Sequence, residues 1–191
     1  MTKAVLALHY QNDVLHPDGK IALGLAKQPT KRKGLIAGAT ALLRKARGAN
    51  IPVIHVAIQF APDGSDIVQN NEIFKGVFAS GAMRAGSWGA GFYEGLGPVT
   101  DERIITHNRV SAFYGSSLET TLQEMGITDL TLGGIATNSV VEHTAREAAD
   151  RGYDVAVAED ACATARDDLH AAALENIRLI GRVVDTNTLM L

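Results

Sequence analysis

The chain has 191 residues, 46% of them hydrophobic and 20% charged, a globular composition far from disordered or fibrous proteins. A formal net charge of −3 gives no broad pull toward nucleic acid or anionic lipid, and no apolar run approaches membrane-spanning length, so neither partner is expected. The single cysteine excludes an intrachain disulfide framework, and the first residues lack the charged-then-apolar pattern of a leader, so a cytoplasmic location is expected.

Residues 4–8 form a continuous apolar run, as expected of a central parallel strand buried on both faces. Beyond a loop punctuated by Gly and Pro, Leu35, Ala39, Leu42, Leu43 and Ala46 recur at helical spacing and stop at Gly48. Residues 52–58 read as a second strand. Residues 61–99 are rich in glycine and carry Phe74, Phe78, Trp88, Phe92 and Tyr93; a connection of this length predicts a functional excursion with short helical turns. Residues 103–106 form the third expected strand, and Leu118, Leu122 and Met125 mark a helix closed by Gly126. A fourth strand over residues 130–132 leads into a helix with Val141, Thr144, Ala145 and Ala148 facing inward. A fifth strand (153–158), a helix marked by Leu169, Ala173, Leu174, Ile177 and Ile180, and a last strand (182–184) complete the order. Such alternation gives an α/β fold: one domain over residues 1–191, three-layer αβα, with a six-stranded, mainly parallel sheet.

The run Gly133-Gly134-Ile135-Ala136-Thr137-Asn138-Ser139-Val140-Val141-Glu142-His143-Thr144-Ala145 connects the fourth strand to its helix. A strand, a glycine-eased turn and a helix start place backbone N–H groups at the carboxyl edge of the sheet, where α/β proteins bind ligands. This stretch closely resembles the nucleophile motif of the isochorismatase-like hydrolases, among them nicotinamidases and other cysteine hydrolases. The resemblance extends to Ala4-Val5-Leu6-Ala7-Leu8-His9-Tyr10-Gln11-Asn12-Asp13, to Gly86-Ser87-Trp88-Gly89-Ala90, and to Arg103-Ile104-Ile105-Thr106-His107-Asn108-Arg109-Val110-Ser111-Ala112-Phe113. It implies a three-layer fold, a small-molecule substrate, and assembly into homodimers or homotetramers. It also implies that the family's catalytic Asp, Lys and Cys positions are here His9, His107 and Val140. Because only the catalytic positions depart while the framework is kept, the resemblance implies a changed site rather than a decayed one.

Two histidines at neighbouring strand ends are candidates for proton transfer, since an imidazole gives or takes a proton near neutrality. The alternative is a pair of buried, hydrogen-bonded histidines filling the space. No other residue offers a nucleophile. Ser139 is expected to turn away by about 100° from the cysteine position and, like Asn138, to cap the helix. Cys162, after the fifth strand, reads as core and Ser111 as a turn residue. The expected chemistry is therefore hydrolysis without a covalent intermediate, His9 acting as acid and His107 contacting an anionic or cyclic metabolite. By resemblance, Gln11, Trp88 and Tyr114 contact the substrate, and the backbone N–H groups of Ala136 and Val140 form the oxyanion site. His9, His55 and His107 come from neighbouring strands, but His55 lies mid-strand with no matching carboxylate, so no metal or other cofactor is expected. Two non-enzymatic alternatives stay open: a catalytically silent binder of a small molecule, and an assembly subunit whose useful surface is the long loop.

Overall fold

Six strands lie side by side in the order β3-β2-β1-β4-β5-β6, every neighbouring pair parallel. They are β1 (Lys3–Leu8), β2 (Val53–Ile58), β3 (Arg103–His107), β4 (Asp129–Ile135), β5 (Asp154–Ala163) and β6 (Arg182–Val184). The computed structural model from which this architecture is read describes residues 2–21 and 25–189. The strand order reverses direction between β1 and β4, and the crevice at such a switch point is where open α/β sheets receive ligands.

Alternation along β1 divides the interior. Val5 and Ala7 join the cluster under α2 (Pro29–Gly48), with Leu35, Ala39, Leu42, Leu43 and Ala46 from the helix. Ala4, Leu6 and Leu8 face the opposite cluster, built from α4 (Leu118–Glu124), α5 (Glu142–Asp150) and α6 (Asp167–Arg178). With helices on both faces, the inner strands are apolar throughout rather than alternating, which is why β1 reads as a continuous apolar run. Two short helices, α1 (Asn12–Leu15) and α3 (Glu72–Ser80), lie in the connections after β1 and β2.

Three local expectations are corrected. Gly133 and Gly134 belong to strand β4 and not to a turn. A Cβ on Gly133 would sit 2.6 Å from the Tyr10 hydroxyl, which passes beneath it to donate to the Ala161 carbonyl at 2.6 Å. The second correction concerns β5, which runs on to Ala163 because β4 resumes pairing beyond an irregularity (Gly134 with Cys162, Ile135 with Ala163). Cys162 therefore lies inside the sheet rather than after it. The excursion over residues 61–99 also contains a nine-residue helix, α3, instead of short turns only. Asn71 caps it by accepting from the Phe74 N–H, and Gly81 ends it in the left-handed conformation.

Candidate active site

His9 follows β1 with its backbone N–H tied to the Val56 carbonyl and φ at 57°. This left-handed state is uncommon for a residue with a side chain and concentrates at functional sites. His107 is the last residue of β3, two strands away. The rings meet across the end of β2, Nε2 to Nε2 at 2.5 Å, with both side chains buried. His107 Nδ1 donates to the Ser111 carbonyl at 2.9 Å, which orients the ring. Ser111 Oγ in turn donates to Glu147 of α5, whose other oxygen is held by Arg151. The Ile135 backbone beside His9 favours its protonated form, but less than burial opposes it. Burial lowers the pKa of His9 well below the usual range, and the neighbouring His107 adds to the effect; burial likewise takes His107 down to about 4.

His9 opens onto a cavity of about 590 Å³ between α3 and the turn after β4. Its walls are mostly apolar, with Ile58, Phe74, Met83, Val110, Ile135 and Val140 among them, and its charged groups are Lys20, Glu72 and Arg109. Such a lining, with few polar groups, suits a small molecule having one polar end. The turn itself is a single wide π-type turn, Thr137–Val141, leading into α5. The Ala136 N–H pairs with no acceptor among the described residues, so it is free to receive an oxygen from the cavity.

Of the residues expected from sequence, His9, Ala136 and Val140 line this cavity, and His107 joins it through His9. Gln11 does not reach it. Its amide is wholly buried and braces the Ile58 backbone and the Ala90 carbonyl. Trp88 and Tyr114 lie outside the lining, 55% and 64% exposed, and Trp88 packs edge-on against His16. His55 turns away from the two histidines to bond Glu102 at 2.8 Å, so a carboxylate partner does exist for it, delivered by the segment before β3. Neither the turn nor α5 has a side-chain cap, because the positions that precede them are Ala136 and Val141; Asn138 and Ser139 line the cavity instead. Cys162 lies beyond β4, and burial pushes its thiol up to about 12, which removes it as a thiolate. Among the described residues no three His, Cys, Asp or Glu side chains converge as metal ligands.

The family model of the isochorismatase domain matches residues 3–188. The chain belongs to the isochorismatase family. It is similar to a ureidoacrylate amidohydrolase of Methylobacterium radiotolerans, 40% identical over half of this chain and 37% of that protein. It is also similar to an Arabidopsis thaliana protein named "Probable inactive nicotinamidase", 29% identical over 97% of this chain and 92% of the relative. Among solved structures, an isochorismatase family protein from Desulfovibrio vulgaris superposes with a TM-score of 0.85 at 27% identity, covering 97% and 95% of the two chains.

Sequence reasoning missed the residues that give this isochorismatase-family cavity its charge and its histidine geometry. Lys20 sits in a loop whose composition gives no helical or strand register. Arg109 lies two residues beyond His107, and its guanidinium, stacked 4.2 Å from the Phe74 ring centre, is placed by a helix the sequence read only as turns. Glu147 reads as an ordinary exposed-face residue of α5; its link to Ser111 depends on the position of a loop from β3.

Proposed function

We propose that this chain is an isochorismatase-family hydrolase of a small anionic or cyclic metabolite, using His9 and His107 for acid–base chemistry without a cysteine nucleophile. The observation that carries the reading is the contact between His9 and His107 at the floor of a largely apolar cavity. In this reading His9, His107 and Val140 occupy the positions of the family's catalytic Asp, Lys and Cys. His9 protonates the departing group, and the Ala136 and Val140 N–H groups stabilise developing negative charge on oxygen. Trp88, Tyr114 and Gln11 act on the substrate indirectly, through the loops they brace, or in an assembled homo-oligomer. Exposed Val68, Ile73 and Phe78 around α3 support such an assembly. A reduced, buried Cys162 is compatible with the cytoplasm.

A second reading, a silent binder on the same scaffold, is favoured by one observation: both rings are buried and each is already hydrogen-bonded within the protein. The experiment is a thermal-shift screen of small carboxylates, amides and vinyl ethers, followed by turnover assays of the hits. The hydrolase reading expects turnover that survives iodoacetamide and falls by at least about a hundredfold in His9→Ala and His107→Ala, the usual scale of general acid–base catalysis. Stabilising hits that are never converted support the silent binder, and turnover unchanged in both variants ends the histidine mechanism.

A further inference from the structure

Helix α3 forms one side of the cavity through Glu72, Ile73, Phe74, Gly76, Val77 and Ser80. It is lightly anchored. Of its nine residues only Phe74 and Val77 are buried, and Ile73 lines the cavity while half exposed to solvent. A helix with so few buried apolar side chains belongs to the part of a fold that opens at low cost.

Two cations of the same cavity wall supply further holds on α3. Lys20, in the loop after β1, donates to the Gly81 carbonyl at 3.0 Å, where a cation also suits the dipole at the end of the helix. Arg109, in the loop after β3, donates to the Val68 carbonyl at 3.2 Å and to Asn70 Oδ1 at 3.0 Å, and its guanidinium stacks on Phe74. One cation thus grips the C-terminal end of α3 and the other its N-terminal approach. All three acceptors are neutral, and among the described residues no carboxylate pairs with either cation. An ammonium has three donors and a guanidinium five. The bonds around α3 use one and two of them, so both cations keep donors for a further acceptor. Glu72, the other charged group on the wall, is answered by Lys75 on its own helix at 2.7 Å. The charge left without a counterion around the cavity is therefore positive.

We propose that Lys20 and Arg109 are specificity-determining residues that select a ligand bearing a carboxylate, and that α3 is the lid they hold shut over it. The inference rests on the proposed reading of the cavity as the substrate site. A carboxylate accepting from the spare donors fixes in place the same two cations that fasten α3, through charge-assisted hydrogen bonds about twice as strong as neutral ones. The mostly apolar walls suit a ring or short chain attached to that carboxylate. Opening α3 takes one wall away from the ligand. A ligand that binds only the closed form then makes opening rarer by the factor 1 + [L]/Kd.

The test is amide hydrogen exchange of the full chain read by mass spectrometry, with benzoate as the probe and benzyl alcohol as its uncharged counterpart. Calorimetry fixes the Kd for benzoate. At about ten times that concentration, exchange in residues 72–81 is expected to slow about tenfold, while the last turn of α2, outside the cavity lining, keeps its rate. Benzyl alcohol at the same concentration is expected to leave α3 unchanged. Lys20→Met and Arg109→Gln should each speed α3 exchange without ligand, and binding tenfold weaker would leave only about twofold protection at that benzoate concentration. Bound benzoate with unchanged or merely uniform slowing overturns the lid. No benzoate binding, or equal protection by benzyl alcohol, overturns the carboxylate selection, and full protection in both variants overturns the assignment of the two cations. The wild-type comparison of the two ligands decides even if a variant fails to fold. All of these outcomes are read from binding, so absence of turnover on any substrate would defeat the hydrolase reading and leave them standing.

Discussion

Whether a thiol in this fold reacts depends on which side of β4 it occupies. Cys162 lies within β5, sealed by packing, and burial raises its pKa to about 12. Val140 stands on the cavity wall at the turn entering α5, where free N–H groups and the helix dipole favour a thiolate. Val140→Cys is therefore expected to alkylate with iodoacetamide near neutral pH well before Cys162, as read by mass spectrometry of the folded protein. Under the proposed reading the same variant is expected to leave nicotinamide uncleaved, because two histidines would stand where a thiolate mechanism needs an acid and a cation. An inert thiol at position 140 would place the turn wrongly; efficient amide hydrolysis would show that the histidines suffice.

Helix α2 is held against the sheet by what its glycines lack. A Cβ on Gly38 would stand 2.0 Å from the Asp160 carbonyl oxygen, whereas one on Gly34 would meet nothing within 4 Å. Gly38→Ala is expected to cost about 1–3 kcal/mol, the scale of overpacking a filled interface. Gly34→Ala is expected to stabilise by about 0.5–1 kcal/mol through helix propensity, so urea melts of the two variants should shift in opposite directions. The same helix sends Arg47 to Glu102, which also bonds His55. Burial alone would raise the Glu102 pKa, but hydrogen bonds from Arg47, Val99 and His55 overcome it and hold the carboxyl at about 2, below its ordinary 4.5. The carboxylate's contribution is complete above the unfolded value and is lost as pH falls from 4.5 through about 2. Burial of His55 lowers its pKa as well, so protonating it also opposes folding as pH drops below its ordinary 6.5. Stability from urea melts should therefore begin to fall below about pH 6.5 and fall further below 4.5. Glu102→Gln should remove roughly 2–3 kcal/mol at neutral pH and flatten the limb below 4.5; an unchanged acid limb would exclude Glu102 as its source.

At the scale of the whole molecule, the layers were legible because β1, α2, α5 and α6 carry their period in local apolar spacing. His9 and His107 were legible as candidates because both were read at the carboxyl ends of strands, the edge where open α/β sheets receive ligands. What escaped depends on contacts distant in sequence: the passage of Tyr10 under Gly133, the Glu102 partner of His55, and the arrival of α3 and Arg109 at the cavity. The last of these bears on how a ligand enters. The chain carries a net charge of −3, so an anion is repelled at long range, while Lys20 and Arg109 stand on the cavity wall. Arg109 is pinned by the Val68 carbonyl and Asn70 and stacked on Phe74, leaving its charge oriented at little further cost in side-chain freedom. Arg109→Gln is expected to weaken benzoate binding by about tenfold, equivalent to 1.4 kcal/mol, with most of the loss in the association rate. Titration calorimetry and stopped-flow at low and high salt would measure it, and the loss should shrink as salt screens this half-buried charge. An equal loss for benzyl alcohol would mean that Arg109 acts by shaping the loop against Phe74 rather than through its charge.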